Sequence, residues 1–359
     1  MASLIEADDL ERQERIQEIA RVSKPRVMAV GIGGGGCNII SWIKERGIAG
    51  GKLVSVNTDA NHLSVCKADT RILIGEKITR GIGCGGYPKI GEQAMEENMG
   101  EVFEEVSDAN IIFLVAGMGG GTGTGGICAL AEELRRQFPE ESPHLIIGVV
   151  TLPFEVETAR MEVAKEAVQR LQMSADQVVM IDNNRLIKVA GSLPFAEALG
   201  VANTMVGKFI KGVTETITTA SLINIDYADL RAIMKGGGLG SLGVGAGKGE
   251  GKVEQAVERA ISGRLLNTRI GYKKHKARGL LIHVSGGEDI TLHEVHRAGT
   301  LVKRLIPPEA KVVWGARVNK DSKGTASVMT VLTGVESTFI KPRKRFFGKK
   351  IYHRKYMPF

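Results

Sequence analysis

The sequence predicts an α/β chain: a mostly parallel, doubly wound sheet, one long helix, and then a second, smaller α/β unit. Three observations carry this reading. Short apolar runs alternate with helical stretches through the first half, the pattern of parallel strands joined by crossover helices. Glycine-rich loops recur where those runs give way to helices. From Pro194 to about Ala220 an apolar segment continues with no breaker but scattered glycines, as a helix buried between two masses does.

Composition sets the limits. A chain of 359 residues, 43% hydrophobic and 25% charged, buries sizeable cores and has room for about two domains. No apolar run approaches the roughly 18 residues that a membrane span needs. Glu6, Asp8, Asp9 and Glu11 leave the N-terminus without a secretory signal, so the expected location is the cytoplasm. Cys37, Cys66, Cys84 and Cys128 are far apart and never form CxxC; they read as small apolar fillers, not as a zinc site or disulfide framework. The formal net charge of +8 is local: Lys341, Arg343, Lys344, Arg345, Lys349, Lys350, Arg354 and Lys355, with no acid among them, account for it. The rest of the chain balances to zero, so no specific nucleic-acid partner is expected of the globular part.

In chain order, residues 5–21 could form a surface helix that Pro25 ends, leaving 1–25 as an N-terminal extension. Arg26 to Val30 is a buried strand running into the glycines 31–36 and a helix from Ile39 to Arg46. That is GxGxxG between strand and helix, with Asp59 following a second strand, Leu53 to Val56. Alone it is a weak nucleotide-binding fingerprint. A third strand, Arg71 to Ile74, precedes the glycines 81–86, with Pro88 opening a helix from Lys89 to about Val106. The apolar run Ile111 to Val115 then meets Ala116 to Gly126 and a helix from Ile127 to Arg136.

This last loop is the strongest signal. Strand, glycine loop and helix aim backbone N–H groups and a helix N-terminus at an anion. Glycines let the backbone approach a phosphate, so that a Cβ at Gly123 is expected to fill space meant for a phosphate oxygen, and Thr122 and Thr124 add hydroxyls. There is no Walker GK[ST] ending, which leaves the charge to amides, the helix dipole and Mg²⁺. Several such loops at strand C-terminal ends point to a triphosphate.

Strands Leu145 to Thr151 and Val178 to Ile181, with a helix Glu157 to Met173 between them, complete a sheet of about six strands. After the long helix, Asp226 and Asp229 open the helical stretch Leu230 to Met234, where a capping role also accounts for them. The glycine-rich stretch Gly236 to Gly245 follows, then helix Val253 to Ile261, strand Leu280 to Val284, helix Leu292 to Leu305 and strands Val312 to Val318 and Ala326 to Thr333. No GxSxG or HExxH signature occurs in this second unit.

Together, GGGTGTG at Gly119 to Gly125, the loop Gly31 to Asn38, Asn57 to Asp59, and Asn224, Asp226 and Asp229 after a long helix resemble FtsZ, the tubulin-related prokaryotic division GTPase, and its archaeal members in particular. The resemblance implies a Rossmann-like GTP-binding domain (26–193), a central helix (194–220), a C-terminal activation domain (221–338) and a basic tail (339–359). It implies that Gly34, Gly35 and Asn38 contact GTP or GDP, as do Asn57 and Asp59. Gly119, Gly120, Gly121, Thr122, Gly123, Thr124 and Gly125 would surround the phosphates and Gly85 and Gly86 the γ-phosphate. Glu157 would meet the ribose with Arg160 nearby, three residues on where the family usually has four. Asn183 and Asn203 would read guanine. Asp226, Asp229 and Asn224 of one subunit would complete the site of the next in a head-to-tail filament at mid-cell. The tail, with Phe346, Phe347, Tyr352, Tyr356 and Phe359 among its charges, suits an anionic membrane or a membrane-tethering division protein. An NAD-dependent oxidoreductase predicts one fingerprint and a catalytic His or Lys, and a non-polymerising tubulin-like regulator predicts no acidic pair; neither fits as well.

Overall fold

The computed structural model describes residues 15, 24–219, 222–223, 225–261, 277–303, 306–319, 322–335, 337 and 339–340. The expected N-terminal helix and the tail from residue 341 on lie outside this set.

The chain runs β1 (Val27–Ile32), α1 (Gly33–Arg46), β2 (Gly51–Asn57), α2 (Ala60–Val65), β3 (Thr70–Leu73), α3 (Glu76–Thr79), α4 (Pro88–Glu97), α5 (Met99–Val106), β4 (Ile111–Gly117), α6 (Thr122–Gln137), β5 (Leu145–Leu152), α7 (Thr158–Ser174), β6 (Gln177–Asp182) and α8 (Asn183–Ala190). These strands pair in parallel in the order β3-β2-β1-β4-β5-β6. Every glycine loop therefore opens at the same, C-terminal edge. The long helix is α9 (Phe195–Thr218), 24 residues and so about 36 Å. Then come α10 (Tyr227–Met234), β7 (Gly238–Lys248), α11 (Lys252–Ile261), β8 (Gly279–Gly286), α12 (Leu292–Lys303), β9 (Lys311–Val318) and β10 (Thr325–Thr333).

Three differences from the sequence reading have physical causes. The expected helix over 89–106 is two, broken at Asn98, whose side chain accepts the Gly75 amide and whose φ and ψ of −111° and 18° leave the helical range. The glycine-rich stretch after Met234, to which the sequence reading gave no element, is the strand β7. The second unit does not form a sheet of its own: β7 adds to β6 in parallel, β10 runs antiparallel between β7 and β8, and one sheet of ten strands results.

Alternation along the strands builds two cores. Met28, Val30 and Ile32 of β1 and Ile112 and Leu114 of β4 face one side, where α4, α6, α7, α11 and α12 bring Met95, Leu130, Val168, Ala256 and Ala298. Val27 and Ala29, with Ile111, Phe113 and Val115, face the other, where α1, α9 and α10 bring Ile40, Phe209 and Leu230. Helix α9 spans both halves of the sheet on this second face. Gly207 lies against the Trp42 ring of α1, and Gly212 faces Met329 of β10 and His283 of β8.

Candidate active site

Two strands feed the centre of the site. From Ile32 the chain turns straight into α1 at Gly33, whose φ of +70° is left-handed backbone that glycine adopts without strain. From Gly117 it turns through residues 118–121 into α6. Neither helix has a side-chain cap and neither carries an acid in its first turn, so the amides there are left for a ligand or solvent. The two N-termini abut: a Cβ on Gly33 would lie 2.7 Å from the Gly123 amide nitrogen, and one on Gly35 3.2 Å from Gly117. Two helix dipoles thus converge on one concavity, which favours an anion.

The glycines around it are of two kinds. A Cβ on Gly125 would stand 1.9 Å from the Pro88 oxygen, one on Gly121 2.5 Å from Cys84 Cβ, and one on Gly119 2.8 Å from Arg160 Cβ; these glycines let loops and helices press together. At Gly123 the obstacle is the Gly117 oxygen at 2.8 Å, which overturns the expectation that a methyl there would only displace a phosphate. Gly34, Gly86 and Gly120, by contrast, face open space, with no other atom within 4 Å of an added Cβ. Gly85 and Gly86 form the third loop's left-handed turn.

The threonines do not stand free as donors. Thr124 Oγ accepts the Gly119 amide at 2.9 Å, and Thr122 Oγ lies 2.6 Å from Thr58 Oγ and 3.3 Å from Cys84 Sγ. Both are buried and hold the loops in shape. Asn57 is also buried; its Oδ1 accepts the amides of Thr58 and Asp59 at 2.9 and 3.3 Å. Asp59 caps α2 by accepting the His62 amide at 3.0 Å. Exposed Asn38 meets the His62 ring at 3.0 Å. Glu157 accepts the Phe154 amide and pairs with Arg160 at 2.6 Å. Because Arg160 backs onto Gly119, the pair borders the phosphate loop despite its three-residue spacing. Asn183 begins α8, and its buried Oδ1 has no partner among the described residues. Asn203 is half-buried on α9, the helix against which α8 packs through Leu186, Ala202 and Met205.

The acidic helix is elsewhere. Tyr227 at the start of α10 donates to the carbonyls of Asn110 and Pro143, and Arg231 and Lys235 to that of Ser142. These carbonyls precede β4 and β5, so α10 sits at the N-terminal edge of the sheet. The glycine loops sit at the C-terminal edge, one strand length away, about 20 Å. Asp226 and Asp229 are both exposed; Asp226 caps the helix through the Ala228 amide at 3.1 Å, and Asp229 lies 4.0 Å from Lys311 Nζ. Asn224 lies outside the described residues.

Residues 26–191 match the model of the Tubulin/FtsZ family GTPase domain, and residues 238–336 that of the FtsZ family C-terminal domain. Cell division protein FtsZ 2 of Methanocaldococcus jannaschii is 42% identical over 87% of this chain and 80% of its own length. The chain belongs to the FtsZ family. FtsZ 1 of Pyrococcus furiosus is 39% identical over 92% of this chain and 87% of its own. The structure of an empty FtsZ dimer from M. jannaschii superposes with a TM-score of 0.84 at 38% identity, covering 95% of this chain and 99% of that one. The CetZ2 protofilament of Haloferax volcanii, at 22% identity and a TM-score of 0.70, shares the fold.

FtsZ membership brings GTP and GDP as ligands and self-association as a property. Several residues that shape the site were missed in the sequence. Asp182 caps α8 at the Asn184 amide, and Asn184 Oδ1 accepts the Glu155 amide at 2.7 Å, tying the Glu157 loop to α8. An Asp directly after an apolar run was the available signal. The contacts of His62 with Asn38 and of Thr58 with Cys84 and Thr122 had none, since these partners are distant in sequence.

Proposed function

We propose that this chain is a GTPase that polymerises head to tail, builds or scaffolds the division ring, and completes its catalytic site only where two copies meet. One observation carries the shared site: the anion cradle and the acidic helix α10 lie at opposite edges of the sheet, so no carboxylate of α10 reaches a phosphate bound in its own subunit. Stacking copies with the strands aligned brings α10 of one onto the cradle of the next. Such a contact is heterologous and does not close, so it propagates as a filament.

Within the joined site, Asp226 and Asp229, three apart on the first turn of α10, face the same way and polarise one water for attack on the γ-phosphorus. The bond from that phosphorus to the β-γ bridging oxygen breaks, giving GDP and phosphate. The amides at the first turns of α1 and α6 stabilise charge on the departing β-phosphate. The unpartnered Asn183 Oδ1 accepts from guanine, with Asn203 beside it, and Glu157 takes the ribose. Hard oxygen donors at the loops are few and engaged, Asp59 by His62 and Thr122 by Thr58. Mg²⁺ would therefore be held chiefly through the nucleotide and not by these side chains, and would supply neutralisation of the phosphate charge.

The test is the GTPase rate per subunit against protein concentration, with sedimentation alongside. A steep rise with the onset of polymer is expected. A specific rate constant from nanomolar to micromolar protein would refute the shared site.

No helix among the described residues is long and apolar enough to cross a membrane. Attachment at the cytoplasmic face of mid-cell is assigned to the basic, aromatic tail, which meets either anionic lipid or a tethering protein. Phe339 and Ile340 pack against the core, so the segment available for this begins at Lys341.

A further inference from the structure

Beside the nucleotide loops, three side chains that the hydrolysis does not use come together. Cys37 Sγ, Cys66 Sγ and a ring nitrogen of His62 all lie within 4.8 Å of one another. Cys37 sits one turn into α1, its thiol 3.6 Å from the carbonyls of Gly31 and Val56. Helix α2, started by its Asp59 cap, carries His62, and Cys66 is the extended residue that ends it; the Cys66 Sγ lies 3.6 Å from His62 Nδ1. Leu63 and Leu73 close the cluster. Both thiols are buried, whereas His62 is half-buried and gives a route from solvent.

Hydrogen bonding fixes how the imidazole is presented. Asn57 Oδ1 accepts two backbone amides, so its NH₂ is the end that faces His62 Nδ1 at 3.2 Å. Nδ1 is therefore unprotonated, and the proton sits on Nε2, which donates to Asn38 Oδ1 at 3.0 Å. An imidazole whose far N–H is held by a carbonyl oxygen, and whose other nitrogen lies by a thiol as well as by the Asn57 amide, can give that lone pair to a metal. The spacing agrees. Ligands about 2.3 Å (S) and 2.0–2.1 Å (N) from a tetrahedral zinc stand about 3.6–3.8 Å from each other, and Cys66 Sγ is already 3.6 Å from His62 Nδ1.

We propose that Cys37, His62 and Cys66 form a binding site for a thiophilic divalent cation of the zinc class, with solvent in the fourth position. Binding exchanges two thiol protons for the metal: M²⁺ and two S–H give a neutral bis-thiolate centre and two H⁺. No net charge is left buried, and affinity falls steeply as pH falls. The cation also takes the Nδ1 lone pair from the Asn57 amide, leaving the Asn38 contact in place.

The test uses the full-length protein, reduced with a phosphine, stripped by chelator and titrated with Co²⁺. One equivalent should bring sulfur-to-cobalt charge-transfer absorption and tetrahedral visible bands, both displaced by Zn²⁺, with about two protons released per metal. Cys66→Ser and, separately, Cys37→Ala should abolish the charge-transfer band while thermal melts confirm folding. Cys128→Ser, on α6 with its thiol at the Ala167 carbonyl, should keep it. Absence of a thiolate band in the wild type, or its survival in Cys66→Ser, overturns the proposal. So does a protein that forms a Cys37–Cys66 disulfide under mild oxidant yet binds no cation when reduced, which would make the pair a redox couple instead.

Discussion

Replacing Gly34 by Ala should raise the stability of the empty protein while lowering that of the nucleotide complex. Gly34 is the second residue of α1, has no positive φ, and faces open space. An alanine there costs nothing sterically and removes unfolded-state freedom, a gain of about 0.4–1 kcal/mol. For a unit of this size that raises the empty protein's Tm by about 1–4 °C. With nucleotide, the same methyl stands where the backbone is open to a phosphate. If affinity falls a hundredfold, then at a concentration of 100 times the original Kd the ligand's stabilisation drops from about 2.7 to about 0.4 kcal/mol. The complex then melts several degrees below wild type. Calorimetric melts with and without GDP, beside titration calorimetry, read both arms. Gly125→Ala is the contrast: with the Pro88 oxygen 1.9 Å from its Cβ, it should lower both melting points. Unchanged GDP affinity in Gly34→Ala would refute the assignment of this open edge to the phosphates.

Asp226→Asn should keep the α10 cap, since Asn caps as well as Asp, yet lose most turnover. Asp226→Ala should lose turnover and about 0.5–2 kcal/mol besides, so that melts beside GTPase rates separate capping from catalysis. His283 is buried with no partner on Nε2 among the described residues, and burial, then Arg317, lowers its pKa to about 4. The unfolded chain binds that proton from about pH 6.5 downward and the folded one only near 4. Stability should thus fall as pH drops through this window, by about 3 kcal/mol in all. Denaturant unfolding at several pH values should show a shallower fall in His283→Phe. Truncation after Ile340 should leave GTPase and assembly intact but abolish salt-sensitive co-sedimentation with anionic vesicles; equal vesicle binding by both forms would discard the membrane role.

How much of this was legible follows from the range of each signal. The parallel strands were, because a strand buried on both faces is a continuous apolar run, as Ile111 to Val115 is. The glycine loops between strand and helix were, because strand, glycines and helix are contiguous. The opposition of cradle and acidic helix was only implied, since it depends on which edge of the sheet each loop leaves. The Cys37, His62 and Cys66 cluster was not legible: the spacing of the two cysteines matches no ligand motif, and only the parallel pairing of β1 with β2 sets α1 against α2. Likewise Thr58 and Thr122 meet because β1 lies between β2 and β4, carrying the loops past Asn57 and Gly117 to one edge.

The strand β7, which the sequence reading left without an element, bears on every other glycine in the chain. Gly243, Gly245 and Gly247 alternate along it, and a Cβ on each would meet in turn the Ala260, Ala256 and Lys252 carbonyls of α11 at 2.2, 1.9 and 1.8 Å. Two strand residues advance about 6.6 Å and four helix residues about 6.0 Å. A glycine at every second strand position therefore meets successive turns of a helix lying along it. That commensurate spacing brings α11 down onto the backbone of β7 and explains a strand built largely of glycine. Gly123 and Gly125 do the same for α6 against β1, β4 and α4. Glycine density by itself thus marks close backbone approach and does not say to what. Where the approaching backbone is the chain's own, as at Gly125 and Gly245, the glycine belongs to the fold. Where nothing stands opposite, as at Gly34, Gly86 and Gly120, open space is not by itself a sign of a ligand, since Gly47 and Gly299 are equally open; it is their place in the glycine loops that makes these three the positions to test for phosphate contact.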